Sequence, residues 1–158
     1  MSHEQRFAAS GLVLPGPFFP HDPLDGLVVH GGRARTSGQL PRDADGHLVN
    51  RGVLGANLTP GEGAEAARWC ALNAVSTLRA VLGSLDAVER VLTVIGFVAC
   101  TADFEAQPTV VDGASRLLVE VFGDAGRHSR SAIGVAALPR GSSVEVEVEV
   151  VLVGLRDA

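Results

Sequence analysis

Tyrosine is absent from this sequence, and the aromatic complement is six phenylalanines and one tryptophan. No phenolic hydroxyl is therefore available as a hydrogen-bond donor or proton relay. Cysteine is nearly absent as well. Cys70 and Cys100 lie thirty positions apart, a spacing that matches no metal or redox motif, and both are expected to be thiols. The five histidines are scattered without helical ligand spacing, so no metal site is readable. A basic block is missing, and the net charge is -5, which gives nucleic-acid binding no electrostatic support. The longest apolar run, Val91 to Cys100, is interrupted by Thr93 and Gly96 and is far short of a membrane span. The opening residues Met1 to Arg6 lack the charged-then-apolar order of a secretory signal, and a cytoplasmic location is the default expectation.

What is present is ordinary for a folded protein. Of 158 residues, 46% are hydrophobic and 20% charged, enough to build one domain over residues 1–158 with its own core. Residues 1 to about 10 read as a short helix or arm, and Gly11–Pro15 as a brief edge strand stopped by proline. Leu27–His30 and Ala34–Leu40 read as strands flanking the turn at Gly31-Gly32, with a surface loop from 41 to 60. Ala67, Ala71, Ala74, Leu78, Val81 and Leu85 recur every three or four residues, the stripe of an amphipathic helix from Gly61 to Ser84. Thr59 supplies its cap, Pro60 its first position and Gly83 its stop. A mostly buried strand follows over Arg90–Cys100, then a second helix from Gln107 to Phe122, then two final strands. The order predicts an α+β fold with helices on one face of a sheet. Val28, Thr36, Thr93, Ile95 and Ile133 leave apolar surface on the other face, which an oligomer would cover.

The last two strands hold the chemistry. Arg130 is a cation on an otherwise apolar strand, and its planar fork matches a carboxylate, although an arginine at a strand start also serves in surface salt bridges. Glu145 is able to orient water and accept a proton. It also belongs to the alternation Val144-Glu145-Val146-Glu147-Val148-Glu149-Val150, the pattern of a half-buried strand with a polar face. Gly38 reads as a bulge or as a place where backbone approaches a ligand. Arg127 and His128 add positive character beside Arg130, and His128 reads as a solvated loop residue or a general base.

Four stretches, taken in order and spacing, resemble the YjgF-type Rid family of reactive intermediate deaminases, also labelled endoribonuclease L-PSP. They are Thr36-Ser37-Gly38-Gln39-Leu40-Pro41; Gly96-Phe97-Val98 with Asp103-Phe104; Arg130-Ser131; and Leu138-Pro139 with Val144-Glu145-Val146-Glu147. The resemblance covers about residues 16–151, and the segment from Val110 to His128 is closer to a divergent subgroup than to the deaminases proper. It implies a chorismate-mutase-like fold, one mixed sheet with two helices packed on one face. It also implies a homotrimer with clefts between subunits and no cofactor or metal. The implied reaction is hydrolysis of enamines and imines to 2-keto acids and ammonia, with Arg130 holding the substrate carboxylate and Glu145 positioning water. Non-catalytic binding or sensing of a small carboxylate is the alternative.

Three positions depart from the family pattern. Phe18, after Gly16-Pro17, stands where deaminases have tyrosine, so a wall of the cleft is kept and a hydroxyl lost. Ala132 replaces a frequent cysteine, leaving a backbone N–H to serve. Asp112 replaces a frequent asparagine, and either lines the cleft as an unfavourable negative charge or is an exposed helix residue.

Overall fold

The alternation over Val144–Glu149 makes the central strand. In the computed structural model, which describes residues 1–154, β5 (Val144–Leu152) buries Val144, Val146, Val148 and Val150 completely and turns its three glutamates to the opposite face. β3 (Val88–Ala99) lies antiparallel beside it and likewise buries Val91, Val94 and Val98. The sheet has the order β1-β2-β5-β3-β4, with β1 (Leu27–His30) and β2 (Arg33–Thr36) at one end and β4 (Ser129–Val135) at the other. β4 pairs parallel with β3 and every other pair is antiparallel, so the sheet is mixed. A parallel pair needs a crossover, which the chain supplies as a helix.

Three helices precede or cross the sheet. α1 (His3–Ser10) is short and held by reciprocal bonds between Ser2 and Gln5. α2 (Pro60–Leu82) starts as the sequence predicts: Thr59 Oγ1 accepts from Glu62 N–H, the Glu62 carboxylate accepts from Thr59 N–H at 2.8 Å, and Gly83 closes the helix in the left-handed region at φ 81°. α3 (Gln107–Phe122) has the predicted bounds and is the β3–β4 crossover. The alanine stripe of α2, expected to lie on the sheet, also allows a close crossing with α3. A Cβ on Gly113 of α3 would lie 1.9 Å from the carbonyl oxygen of Ala64 in α2. Leu54, Val75, Leu78, Leu117, Leu118 and Phe122 fill the space between helices and sheet.

Two strand expectations are corrected. Gly11–Pro15 is not a strand: Gly11 ends α1 at φ 71°, Leu12 and Leu14 pack on the core, and Ser76 of α2 donates to the Pro15 carbonyl where a ladder bond was expected. The strand expected over Ala34–Leu40 stops at Thr36. Arg35 pairs with Glu149 and Gln39 with Val146, so four steps on one strand meet three on the other. Thr36 is not on the outer face either. It is buried, and its Oγ1 accepts from Val148 N–H, bridging the irregular step. Val28 and Ile133 do lie exposed on that outer face.

Candidate functional site

Parity along β4 decides where Arg130 goes. It stands in register with Val94, a core residue, so its side chain turns toward α3. There its Nη1 donates to Asp112 Oδ1 at 2.8 Å and to Ser115 Oγ at 3.1 Å, and Nη2 donates to the Pro108 carbonyl at 3.3 Å. Asp112 is thus a partner of Arg130. Ala132 lies two residues on, on the same face and against the core. The space outside Arg130 is a cavity of about 500 Å³ lined by Asp112, Ser115, Arg116, Arg127, His128 and Arg130.

His128 is not a solvated loop residue. It is half-buried, with Nδ1 2.6 Å from the Gly126 carbonyl and Nε2 2.9 Å from Ser115 Oγ. Burial pushes its pKa down, the Gly126 bond works against that, and the Arg130 charge lowers it further. Ser115 was missed by sequence reasoning. Thirteen residues separate it from His128, and only the α3–β4 connection brings them together.

Glu145, Gly38 and Phe18 lie elsewhere. Glu145 is in register with Phe97 and projects from the face opposite the helices. The neighbouring glutamates are each matched by an arginine of β2, Glu147 by Arg35 and Glu149 by Arg33. At the third position β2 has broken, and Gly38 stands there. A Cβ on Gly38 would fall 1.8 Å from Glu145 Oε1, so glycine is what admits this carboxylate. Burial raises the pKa of Glu145, Glu147 raises it further and Arg42 lowers it. Arg42, a second residue the sequence reading passed over, lies 3.9 Å above the Phe18 ring and keeps its Nη1 buried without a hydrogen-bond partner. Its position just after Gln39-Leu40-Pro41 was the available signal.

The six candidates therefore form two groups within one chain. Arg130, Asp112 and Ala132 gather at the α3–β4 edge, while Phe18, Gly38 and Glu145 gather around the break in β2. One intervening strand, β3, and the thickness of the sheet separate Arg130 from Glu145. Among the described residues the one grouping with ligand-like spacing for a metal is Asp43, Asp45 and His47, in an exposed turn where Asp43 Oδ1 already accepts from the N–H groups of Asp45 and His47. Among the described residues, no helix is long and apolar enough to cross a membrane.

The family model described as "YjgF/chorismate_mutase-like, putative endoribonuclease" matches residues 4–150. The chain belongs to the YjgF family. Protein TCP17 of Trypanosoma cruzi is 45% identical over 143 residues, covering 90% of this chain and 89% of that protein. The crystal structure of Atu1372 from Agrobacterium tumefaciens, of unknown function, is similar with a TM-score of 0.87 at 34% identity over 95% of this chain and 92% of that one. A Shewanella oneidensis protein described as a "putative endoribonuclease" gives a TM-score of 0.90, again at 34% identity, over 96% of this chain and 100% of its own. The mixed five-stranded sheet with its helices is the fold of the YjgF family. Burial holds the Glu145 carboxyl above the ordinary carboxylate range, and the consequence for stability has a definite sign. A carboxyl whose folded pKa is raised stabilises the protein at low pH, and that contribution is lost as pH rises through the folded pKa. Glu145→Gln is expected to melt at or above the wild-type temperature at pH 7, and the difference should shrink at pH 4. A clear loss of thermal stability at pH 7 would contradict this assignment.

Proposed function

We propose that this YjgF-family chain binds small carboxylates through Arg130 in the cavity between α3 and β4. We further propose that it hydrolyses imines and enamines to 2-keto acids and ammonia. The observation that carries the reading is the posture of Arg130: a guanidinium pinned by Asp112, Ser115 and Pro108, at the wall of a cavity that also holds Arg116 and Arg127. Such a fork binds a carboxylate by two charge-assisted hydrogen bonds. Water then forms a bond to the imine carbon as its proton passes to Glu145, which returns that proton to nitrogen. The C–N bond of the resulting carbinolamine breaks as its hydroxyl oxygen forms the ketone C=O and its hydroxyl proton passes through Glu145 to the departing ammonia. The sequence contains no lysine, so the imine is attacked by water with no side-chain amine to exchange onto.

Arg130 and Glu145 lie on opposite faces of one sheet, so the reaction needs a second copy to bring a Glu145 face to an Arg130 edge. We propose a cytoplasmic homotrimer, with its clefts between subunits and the exposed Val28 and Ile133 face covered by neighbours. Phe18 and Ala132 line the cleft in this arrangement, and Gly38 keeps it open for Glu145. An RNA substrate is disfavoured by the net charge of -5.

One observation favours a non-catalytic carboxylate binder in place of the enzyme: Asp112 occupies Nη1 of Arg130 and brings negative charge to the anion site. Purified protein is to be mixed with imines generated in situ from several amino acids, with semicarbazone formation and keto-acid release followed, and its mass measured by light scattering. The enzyme reading expects turnover above buffer from a trimer. Carboxylate binding by calorimetry without any turnover would replace it with the binding reading, and a monomer would remove the intersubunit cleft.

A further inference from the structure

The contacts of His128 define its tautomer. The Gly126 carbonyl only accepts, so Nδ1, 2.6 Å away, carries the proton. Nε2 is then the acceptor, and the Ser115 hydroxyl 2.9 Å away donates to it. Behind the serine oxygen, Arg130 Nη1 donates at 3.1 Å. Serine and threonine within a helix commonly bond back to the carbonyl four residues earlier, as Thr77 does to Asn73 in α2. Ser115 departs from this habit and directs its proton to an imidazole. The pair opens on the cavity of about 500 Å³ already described.

A hydroxyl donating to an imidazole, whose far N–H is held by a fixed acceptor, is the arrangement that activates a serine nucleophile. We infer that Ser115 and His128 form a nucleophile and general-base pair for acyl transfer, acting on esters or thioesters of short acyl groups that carry a negative charge. This is an activity separate from the imine chemistry and does not depend on it. The preference for an anionic acyl group follows from the lining, where Arg116, Arg127 and Arg130 face a single acidic side chain, Asp112. Ser115 Oγ forms a bond to the acyl carbon, its proton moves to His128 Nε2, and electron density collects on the acyl oxygen beside the Arg130 guanidinium. The C–O or C–S bond to the leaving group then breaks and the His128 proton leaves with it. Water, deprotonated by the same imidazole, hydrolyses the acyl-serine to a carboxylic acid.

The test uses diisopropyl fluorophosphate, which needs no knowledge of the substrate. Ser115 Oγ would form the bond to phosphorus, fluoride would depart, and His128 would take the proton. Peptide mass mapping is expected to find one adduct per chain at Ser115, absent from Ser115→Ala, with labelling of His128→Gln slower by at least about a hundredfold. If His128→Gln melts early, the wild-type pH profile decides. The rate should rise through one ionisation below the ordinary imidazole range and then level off, because burial and the Arg130 charge, with Arg116, Arg127 and Arg90 also near the ring, oppose its protonation, while the Gly126 carbonyl bond and the nearby Asp112 carboxylate favour it. The p-nitrophenyl hemiester of a dicarboxylic acid should be hydrolysed faster than neutral p-nitrophenyl acetate. No adduct, an adduct at another residue, or a rate that climbs with hydroxide without levelling would overturn the inference and leave the imine reading to its own assay.

Discussion

Arg130→Ala is expected to weaken binding of a small 2-keto acid and to lower kcat/KM for imines by about tenfold to a hundredfold. Hydrogen bonds to charged groups contribute roughly 1.5–3 kcal/mol each, and every 1.4 kcal/mol is about a tenfold change in affinity. The lower half of that range is the sounder expectation for affinity, because Arg130 is engaged with Asp112 before any ligand arrives. The same contact sets the direction of a companion change. Asp112→Asn removes the competing charge while leaving a side chain of the same shape, so it is expected to tighten carboxylate binding by a few-fold, about 1 kcal/mol or less. Arg130→Lys keeps the charge and loses the planar fork, and should behave more like alanine than like wild type. Calorimetry on all three variants separates these outcomes. Unchanged affinity in Arg130→Ala would remove Arg130 from the site altogether.

Gly113→Ala is expected to carry the largest loss of stability of any single methyl added to this chain's helices. Its Cβ would meet the Ala64 carbonyl oxygen at 1.9 Å and the carbonyl carbon at 2.7 Å, and a backbone obstacle cannot rotate aside as a side chain does. α2 and α3 would have to separate, and overpacking of this kind costs about 1–3 kcal/mol, occasionally more. For a chain of this size a cost at the upper end lowers the melting temperature by about 6–12 °C. The control is Gly61→Ala in the first turn of α2, whose Cβ meets nothing closer than Thr59 Oγ1 at 3.9 Å and should be neutral or mildly stabilising. Equal melting temperatures for the two variants would show that the helices do not cross as closely as described. The prediction bears on function because α3 carries Asp112 and Ser115 within one turn of Gly113.

Local sequence was sufficient wherever one element's own chemistry decides its form. Thr59, Pro60, Glu62 and Gly83 bound α2 because caps act within a few residues of the helix end, and the Val/Glu alternation sets β5 because side chains alternate across any strand. It failed at Gly11–Pro15, where a polar contact from Ser76 and packing against the core replaced a ladder, and at Ser37–Gly38, where the pairing slips by one residue. Both depend on partners far away in the chain. The family resemblance named Arg130, Glu145, Gly38 and Phe18 as residue types in order, and it was silent on which side of the sheet each would face.

The sequence by itself determined the caps of α2, the bounds of α3, the alternation of β5, the α+β class and the presence of an arginine just after a crossover. Those depend on periodicities and caps that are local to each segment. Only the tertiary structure decided that Arg130 turns to α3 and Glu145 away from it, that Asp112 and Ser115 share the guanidinium, and that His128 has its proton on Nδ1. The reason is geometric. A strand's register fixes the face of every side chain along it, and register is set by pairing with another strand, so a shift of one residue would exchange the two sides of the site.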